Sequence, residues 1–200
     1  MSIERARNAY ALRAQEYIDR FGLIDAAADA DREFVLAWAN GVQGRIIDVG
    51  CGPGHWTNYL HGANVDIEGI DPVPEFIDHA RRQYPELRFR TGSAGDLEVD
   101  DGTLGGILSW YSLIHTEPDQ INGMLTEFAR CLHPTGSILI GFFEGPKLEP
   151  FDHAVTTAYR WPIDEFSNAV TKAGFTITDT RTRTDPGVRP QATIVAHRSQ

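Results

Sequence analysis

Three glycines at alternate positions and two aspartates are the residues of this sequence whose spacing best suits chemistry. The glycines are Gly50, Gly52 and Gly54. They follow the apolar run 46–49 in the pattern Asp-x-Gly-x-Gly-x-Gly, which begins at Asp48, and this carboxylate is placed to face a cationic amine. Glycines have no Cβ, so a ligand can approach the main chain closely. Asp71 ends the next apolar run, where a carboxylate can accept hydrogen bonds from ribose hydroxyls. The pattern predicts a site for a nucleotide-like ligand.

The glycine spacing does not fit a dinucleotide well. The dinucleotide fingerprint G-x-G-x-x-G places a glycine at its sixth position, and counted from Gly50 that position is His55. An NAD(P)-dependent oxidoreductase is still an alternative, and it predicts a catalytic Tyr-x-x-x-Lys pair. Neither lysine of the chain, Lys147 or Lys172, has a tyrosine four residues before it.

The elements that must position these residues alternate along the chain. Strands are predicted at 45–50, 65–70, 87–90, 105–110, 136–143, 175–182 and 190–197, and helices at 4–20, 29–40, 55–61, 74–84, 118–132 and 163–173. This alternation predicts an α/β, Rossmann-like, doubly wound fold with a mostly parallel seven-stranded sheet. The tight turn at 185–187 predicts that the last two strands form an antiparallel hairpin. We expect one domain over 1–200, with N-terminal helices at 1–40, a core at 41–200 and an insertion at 144–161.

Composition excludes several classes of protein. The chain has 200 residues and a net charge of −10, from 28 acidic and 18 basic residues, so we expect no nucleic-acid partner. Its two cysteines, Cys51 and Cys131, lack the spacing of a zinc or redox pair. The sequence has no acidic cluster typical of a magnesium site and no apolar stretch long enough to cross a membrane. We expect a cytoplasmic protein without a bound metal.

Four segments in order give the chain a family resemblance. They are 48–54, 69–71, 91–97 and 109–115, the last followed by 128–134. Over about residues 7–180 the chain resembles the class I S-adenosylmethionine-dependent methyltransferases that act on small molecules. The resemblance implies S-adenosylmethionine as cofactor, S-adenosylhomocysteine as product and an O, N or C atom as methyl acceptor. A small organic acceptor is left by elimination, because the charge argues against nucleic acid and residues 109–112 lack the signature of nucleobase methylation. A non-catalytic S-adenosylmethionine-binding module is an alternative.

The same resemblance implies which residues bind the cofactor. They are Asp48, Gly50, Cys51, Gly52, Asp71, Pro72, Ser93, Ala94, Trp110 and Tyr111, with Tyr10 and Tyr17 on an N-terminal helix that forms a lid. Asp48 and the glycine turn would hold the methionine part, Asp71 the ribose, and Ser93 the adenine edge. Many relatives have aspartate where this chain has Ser93. Tyr10 and Tyr17 can equally be packing residues.

The acceptor side is less defined by sequence. His115 follows the fourth strand and His153 lies in the insertion 144–161, and histidine titrates near neutral pH, which suits a general base. The alternative for each is a structural histidine, and for His115 this is a hydrogen-bonded loop histidine. Long loops in compact domains are often binding loops, and this insertion adds four candidate substrate contacts: Glu144, Tyr159, Arg160 and Trp161. Arg160 can instead be scaffolding. We expect a monomer or a homodimer.

Overall fold

The computed structural model describes residues 2–199, which form one sheet with helices on both faces. The strands are β1 Ile46–Val49, β2 Ile67–Asp71, β3 Arg88–Thr91, β4 Leu104–Trp110, β5 Leu132–Glu144, β6 Glu149–Asp152, β7 Thr157–Trp161, β8 Phe175–Arg183 and β9 Gln191–Arg198. The helices are α1 Ser2–Leu12, α2 Ala14–Phe21, α3 Asp29–Gly41, α4 His55–Gly62, α5 Pro74–Gln83, α6 Ile121–Cys131 and α7 Ile163–Lys172, with a short 3₁₀ turn at Ile24–Ala26.

The sheet has the doubly wound order that the alternation predicted. Strands β3, β2, β1, β4 and β5 lie side by side and are parallel. β9 runs antiparallel to β5, and β8 runs antiparallel to β9. The predicted fold class, including the C-terminal antiparallel hairpin, is confirmed. The order reverses at β1 and β4, so the carboxyl ends of these two strands form the crevice where open α/β sheets bind ligands.

The described residues form nine strands, two more than the seven predicted. The difference lies in the insertion 144–161, which forms the hairpin β6–β7 instead of a loop. Thr157–Trp161 is rich in threonine and aromatic residues, which favour strands. One edge of β5 is occupied by β9 as far as Phe143. On its other edge, β5 pairs with β4 only as far as Trp110. Because β7 also pairs with β5 at Phe143, it must lie on this second edge, beyond the end of β4. The hairpin therefore stands above the carboxyl end of β4.

Two apolar layers hold the helices to the sheet. On one face, Phe166 of α7 stacks on Phe142 with ring centroids 4.4 Å apart, and Phe128 of α6 is fully buried in the same cluster. On the other face, α3 and α4 bury Val35 and Leu60 in a second cluster. Both layers fix the strand ends, and so they fix the crevice.

Two predicted helices begin or continue differently in the structure. The single helix expected at 4–20 is broken at Arg13, whose backbone is not helical, and becomes α1 and α2. The helix expected to open at Pro118 begins at Ile121, because residues 117–120 form a hydrogen-bonded turn instead. The break at Arg13 lets α1 and α2 both pack on α5.

Candidate functional site

The glycine turn joins β1 to α4 in a backbone conformation that favours glycine. Gly50, Gly52 and Gly54 have φ values of 71°, 54° and 88°. A Cβ on Gly50 would lie 2.3 Å from Cβ of Ser112, and one on Gly54 would lie 2.7 Å from the Phe89 ring. Around Gly52 the nearest atom to such a Cβ is Cε1 of Tyr17, at 3.8 Å. The turn is therefore tight at its ends and bordered by an N-terminal helix at its middle.

Asp71 ties the end of β2 to this turn. Its carboxylate is buried and accepts hydrogen bonds from the backbone N–H of Gly52, at 2.9 Å, and of Val73, at 2.8 Å. Burial raises the pKa of Asp71 to about 6, and these two hydrogen bonds limit the rise. The side chain thus holds the turn and keeps a carboxylate at the strand end.

Asp48 is a second buried carboxylate, on β1 itself. It accepts a hydrogen bond of 2.7 Å from the Thr57 hydroxyl of α4. Burial raises the pKa of Asp48 to about 7, the Thr57 hydrogen bond opposes the rise, and the nearby Asp71 adds to it. Within residues 2–199 neither aspartate has an ion-pair partner. Two buried carboxylates beside glycine backbone suit a ligand that carries a cation and hydroxyl groups.

The N-terminal helices cover this region with tyrosines. The Tyr10 and Tyr17 rings meet edge to face at 5.4 Å, and Tyr17 lies 5.2 Å from Phe76 of α5. Burial, together with the charge of Asp71, raises the pKa of Tyr17 to about 12, and the same causes raise the pKa of Tyr10. The structure therefore packs both predicted tyrosines against Val73 and Phe76, which follow Asp71 in the sequence.

His115 lies at the junction of the lid and the hairpin. Its Nδ1 is 2.8 Å from the Thr157 carbonyl of β7, and its Nε2 is 3.0 Å from the Tyr10 hydroxyl. Because a carbonyl can only accept, Nδ1 carries the proton and Nε2 accepts from Tyr10. Burial lowers the pKa of His115, while the Thr157 hydrogen bond opposes this effect. His115 is a neutral imidazole whose lone pair points to the lid.

His153 lies beside His115, with ring centroids 5.1 Å apart. Its buried Nδ1 has no hydrogen-bond partner among the described residues, and Phe143 lies 6.0 Å from its ring. Burial, the nearby His115 and two arginines lower the pKa of His153 to about 4. The next residue, Ala154, accepts a hydrogen bond from Arg13 at the start of α2. The structure thus joins the two predicted histidines and fastens the lid to the hairpin.

Trp110 ends β4 and Tyr111 follows it, and their rings have different surroundings. The Trp110 ring packs on Trp56 of α4 at 5.6 Å, in the apolar layer under α3. Tyr111 has a positive φ of 57°, which is unusual for an aromatic residue, and its ring lies 5.3 Å from Phe143 of β5. Tyr111 therefore borders the crevice, whereas Trp110 mainly supports it.

The remaining predicted cofactor contacts lie around the turn. Pro72 directly follows Asp71, and Ser93 and Ala94 lie in the turn after β3, where Ser93 pairs with Asp96. The Cys51 side chain is buried with Ile77 and Ala80 of α5, so that only its main chain belongs to the turn.

The predicted substrate contacts are split by the alternation of side chains along β7. Tyr159 and Trp161 share a face and pack with the core under α6 and α7, where Trp161 lies 5.2 Å from Phe166. Trp161 is buried there, whereas Tyr159 is partly exposed, and their stacking on an acceptor stays a prediction. Arg160 faces the other way and lies 3.9 Å from Glu149, with Phe151 under its guanidinium. Glu144, at the end of β5, is partly exposed.

Sequence reasoning missed several residues that shape the crevice. Ser112 fills the space beside Gly50 and exchanges a hydrogen bond of 2.8 Å with Ser109. Phe143 links the Tyr111 and His153 rings. Thr57 could have been found from its position one turn into the helix that follows the glycines, but Phe143 gives no local signal.

Comparison with known proteins finds similarity to methyltransferases. A family profile described as a methyltransferase domain matches residues 46–136. An uncharacterized methyltransferase of Mycobacterium tuberculosis is 29% identical over 94 residues, which cover 47% of this chain and 37% of that protein. The magnesium-protoporphyrin O-methyltransferase of Rhodobacter capsulatus is 31% identical over 119 residues, which cover 53% of this chain and 52% of that protein. The chain therefore spans about half or less of the length of these two relatives.

A solved structure resembles nearly the whole chain. The 1,6-didemethyltoxoflavin-N1-methyltransferase of Burkholderia thailandensis, with bound 1,6-didemethyltoxoflavin and S-adenosylhomocysteine, superposes with a TM-score of 0.82 at 21% identity. The superposition covers 98% of this chain and 88% of that one, which shows a shared fold. In the range 2–199, no helix is both long and apolar enough to cross a bilayer.

Proposed function

We propose that this chain, which resembles the class I S-adenosylmethionine-dependent methyltransferases, transfers a methyl group from S-adenosylmethionine to an oxygen, nitrogen or carbon atom of a small organic molecule. The observation that carries this proposal is the pair of buried carboxylates, Asp48 and Asp71, around a glycine turn. Neither has a cationic partner in the described part of the chain, and their pKa values are raised by burial. A cationic ligand with ribose hydroxyls can donate hydrogen bonds to these two carboxylates and balance their charge.

In this proposal the residues of the crevice divide the cofactor between them. Asp71 accepts from the ribose hydroxyls, while Asp48 and the turn backbone face the amino-acid end. The adenine-side and wall contacts are Pro72, Ser93, Ala94, Trp110 and Tyr111. Tyr10 and Tyr17 of the lid close over the bound cofactor, and their burial against α5 supports this role.

The chemistry asks little of the protein beyond positioning. When bound, S-adenosylmethionine supplies a methyl group on a positively charged sulfur, and the S–CH₃ electron pair stays on sulfur as the acceptor's lone pair forms the new bond. The chain must align the acceptor and exclude water. It must also remove a proton where the acceptor carries one on its attacking atom.

We propose that Nε2 of His115 takes the proton that the acceptor loses. The Thr157 carbonyl holds the Nδ1–H tautomer, which leaves Nε2 as the basic atom at the crevice. With the lid closed, the Tyr10 hydroxyl occupies this lone pair, so the proton passes through the hydroxyl, which gives its own proton to Nε2. His153 is the weaker base because its pKa is lowered to about 4, and we assign it a place in the acceptor wall.

The proposal of a small-molecule acceptor rests on the net charge of the chain and on the substrates for which similar proteins are named. A net charge of −10 opposes binding to nucleic acid. Two of the relatives are named for ring compounds, magnesium-protoporphyrin and 1,6-didemethyltoxoflavin. Glu144 and Arg160 stand near the hairpin and complete the proposed acceptor side, whereas Tyr159 and Trp161 support it from the core. A cytoplasmic location and a monomeric or homodimeric state stay predictions.

Two measurements on the purified protein test the proposed function. Calorimetry with S-adenosylhomocysteine should show binding at a single site. Incubation with methyl-labelled S-adenosylmethionine and a small-molecule extract should yield a product heavier by one labelled methyl group. Binding without any labelled product would favour the non-catalytic module, and no binding would reject the family role for this chain.

The base assignment is tested by paired variants once an acceptor is known. His115→Gln keeps a hydrogen-bond acceptor near Tyr10 but cannot take a proton, so turnover should fall by roughly 100-fold or more while S-adenosylhomocysteine affinity stays constant. His153→Ala should lower turnover less. A larger loss of turnover in His153→Ala would transfer the role to His153. Wild-type turnover in both variants would show that neither histidine acts as a base.

A further inference from the structure

A cavity of about 220 Å³ lies across Tyr111 from the glycine turn, between the first turn of α3 and the hairpin β8–β9. Its lining includes Asp31, Phe34, Tyr111, Arg183, Gln191 and Ala192. Pockets that hold drug-sized ligands have volumes of roughly 300–1,000 Å³, so this one suits a molecule of one or two fused rings.

One end of the cavity is polar, and its charges are already balanced. Nη1 and Nη2 of Arg183 donate to the two carboxylate oxygens of Asp31, at 2.6 and 2.9 Å. Nη2 also donates to Oε1 of Gln191 at 2.7 Å, and Nε lies 2.9 Å from a carboxylate oxygen of Asp185. An anion would meet two carboxylates there, and a cation would meet the guanidinium. The amide N–H₂ of Gln191 and the spare lone pairs of Asp31 suit an uncharged edge that both accepts and donates.

The walls of the cavity are flat and apolar. The Phe34 ring lies on one side, held by the Arg181 guanidinium 4.0 Å from its centroid. The Tyr111 ring and the buried Ala192 provide the other walls. Aromatic walls that flank a narrow space favour planar rings, which can stack on them.

Tyr111 connects this cavity to the part of the crevice that is proposed to bind the methyl donor, around Gly50. Its backbone N–H donates to the Gly141 carbonyl at 3.0 Å, which holds the left-handed conformation, and the next residue, Ser112, packs on Gly50. No described residue forms a hydrogen bond with the Tyr111 hydroxyl, and burial, with a smaller contribution from the Asp31 charge, raises its pKa. The hydroxyl is therefore free to bind a ligand at the polar end.

From these contacts we propose that the cavity holds the end of the acceptor that lies away from the base His115 and from the acceptor wall at His153. It would take a planar, uncharged one- or two-ring molecule with a hydrogen-bonding edge that faces Gln191, Asp31 and the Tyr111 hydroxyl. This inference rests on the proposed function, because it names the class of acceptor for the same reaction. It makes Gln191 and Tyr111 specificity-determining residues.

Quinazoline-2,4-dione is a suitable probe, since it has two fused rings and a neutral N–H/C=O edge. Quinoline lacks this edge, and 2-naphthoate carries a charge. The full chain is titrated with each compound by ligand-observed NMR, in the absence and presence of saturating S-adenosylhomocysteine. The variants are Gln191→Leu, which removes the polar edge, and Ala30→Trp, which fills the cavity from an exposed position of α3. Gln83→Leu, on the exposed end of α5, is the matched control.

The dione should bind more tightly than either comparison compound, and it should bind together with S-adenosylhomocysteine. Gln191→Leu should weaken it at least about fivefold, the scale of one lost hydrogen bond. Ala30→Trp should abolish binding, while Gln83→Leu should leave it unchanged. The inference is overturned if the dione does not bind, if S-adenosylhomocysteine displaces it, or if it binds both cavity variants as it binds the wild type. Failure of the wild type to bind S-adenosylhomocysteine alone would instead reject the proposed function.

Discussion

Two parts of the proposed site differ in how their charges are paired. The donor side is the part proposed to bind the cofactor, around Asp48 and Asp71, and the acceptor side is the part proposed to bind the methyl acceptor, on the hairpins β6–β7 and β8–β9. On the donor side, Asp48 and Asp71 are buried without an ion-pair partner in the described range, and their pKa values are raised. On the acceptor side, Asp31 is bonded twice to Arg183, and Glu149 pairs with Lys147. The carboxylates of the donor side can therefore pair with a cationic ligand, whereas those of the acceptor side are already paired with arginine or lysine.

The two sides also differ in what fixes them. The donor side depends on main chain, on glycines with positive φ and on backbone N–H groups that bind Asp71. The acceptor side is built from side chains on two hairpins, β6–β7 and β8–β9. The family profile matches 46–136, which contains the donor side and neither hairpin. A backbone-built site tolerates little change, while hairpin side chains can vary with the acceptor.

The largest expected effect concerns the charge of Asp48. With a pKa of about 7 in the folded protein and about 4 when unfolded, ionisation destabilises the fold as pH rises between these values. Asp48→Asn should therefore raise the free energy of unfolding of the ligand-free protein at pH 8 by about 2–4 kcal/mol. Urea denaturation measures this. The gain should shrink as the pH falls towards 4, and an equal stability at pH 8 would contradict the raised pKa.

Removal of the second carboxylate tests ligand binding directly. Asp71→Ala should weaken S-adenosylhomocysteine binding by about 1–3 kcal/mol, because hydrogen bonds to a buried charged group are lost. Calorimetry measures the change. Asp66→Ala, which removes an exposed carboxylate before β2 that pairs with Arg88, is the control and should bind normally. Unchanged affinity in Asp71→Ala would remove Asp71 from the cofactor site.

On the acceptor side the charges should matter to stability only as a pair. Arg183→Met leaves Asp31 without its two hydrogen bonds and should cost about 1–2 kcal/mol. The combination with Asp31→Asn should cost less than the sum of the two single changes, and a double-mutant cycle by urea denaturation measures this coupling. Additive losses would show that the pair does not act as a unit, and the contrast with the donor side would then disappear.

The smallest effect is expected where the two sides meet. Tyr10→Phe removes the hydroxyl that donates to His115 and should lower stability by about 0.5–1.5 kcal/mol. The Nε2 nitrogen shift of His115 in NMR spectra should change, whereas its Nδ1 shift should stay that of a protonated nitrogen. A Nε2 shift equal to that of the wild type would mean that this hydrogen bond is absent in solution.

The sequence predicted the backbone of the glycine turn better than the surroundings of the two hairpins, for a physical reason. Glycines and a terminal aspartate are local signals, so the turn at Gly50 and the position of Asp71 at the end of β2 could be found without tertiary information. The stacking role expected for Trp161 depended on which face of an unrecognised strand it occupies. The partners of Arg183 are 8 and 152 positions away, and no local pattern links residues so distant.

The cover that α1 and α2 place over the glycine turn has a kinetic consequence. Tyr17 stands against Gly52, and Tyr10 and Arg13 bind the far side of the crevice. If α1 and α2 close over the cofactor as proposed, neither the cofactor nor its demethylated product could pass while these contacts persist, and each catalytic cycle would need the helices to lift away. Release of the demethylated cofactor would then set the steady-state rate, and a burst of product in the first turnover would be its signature.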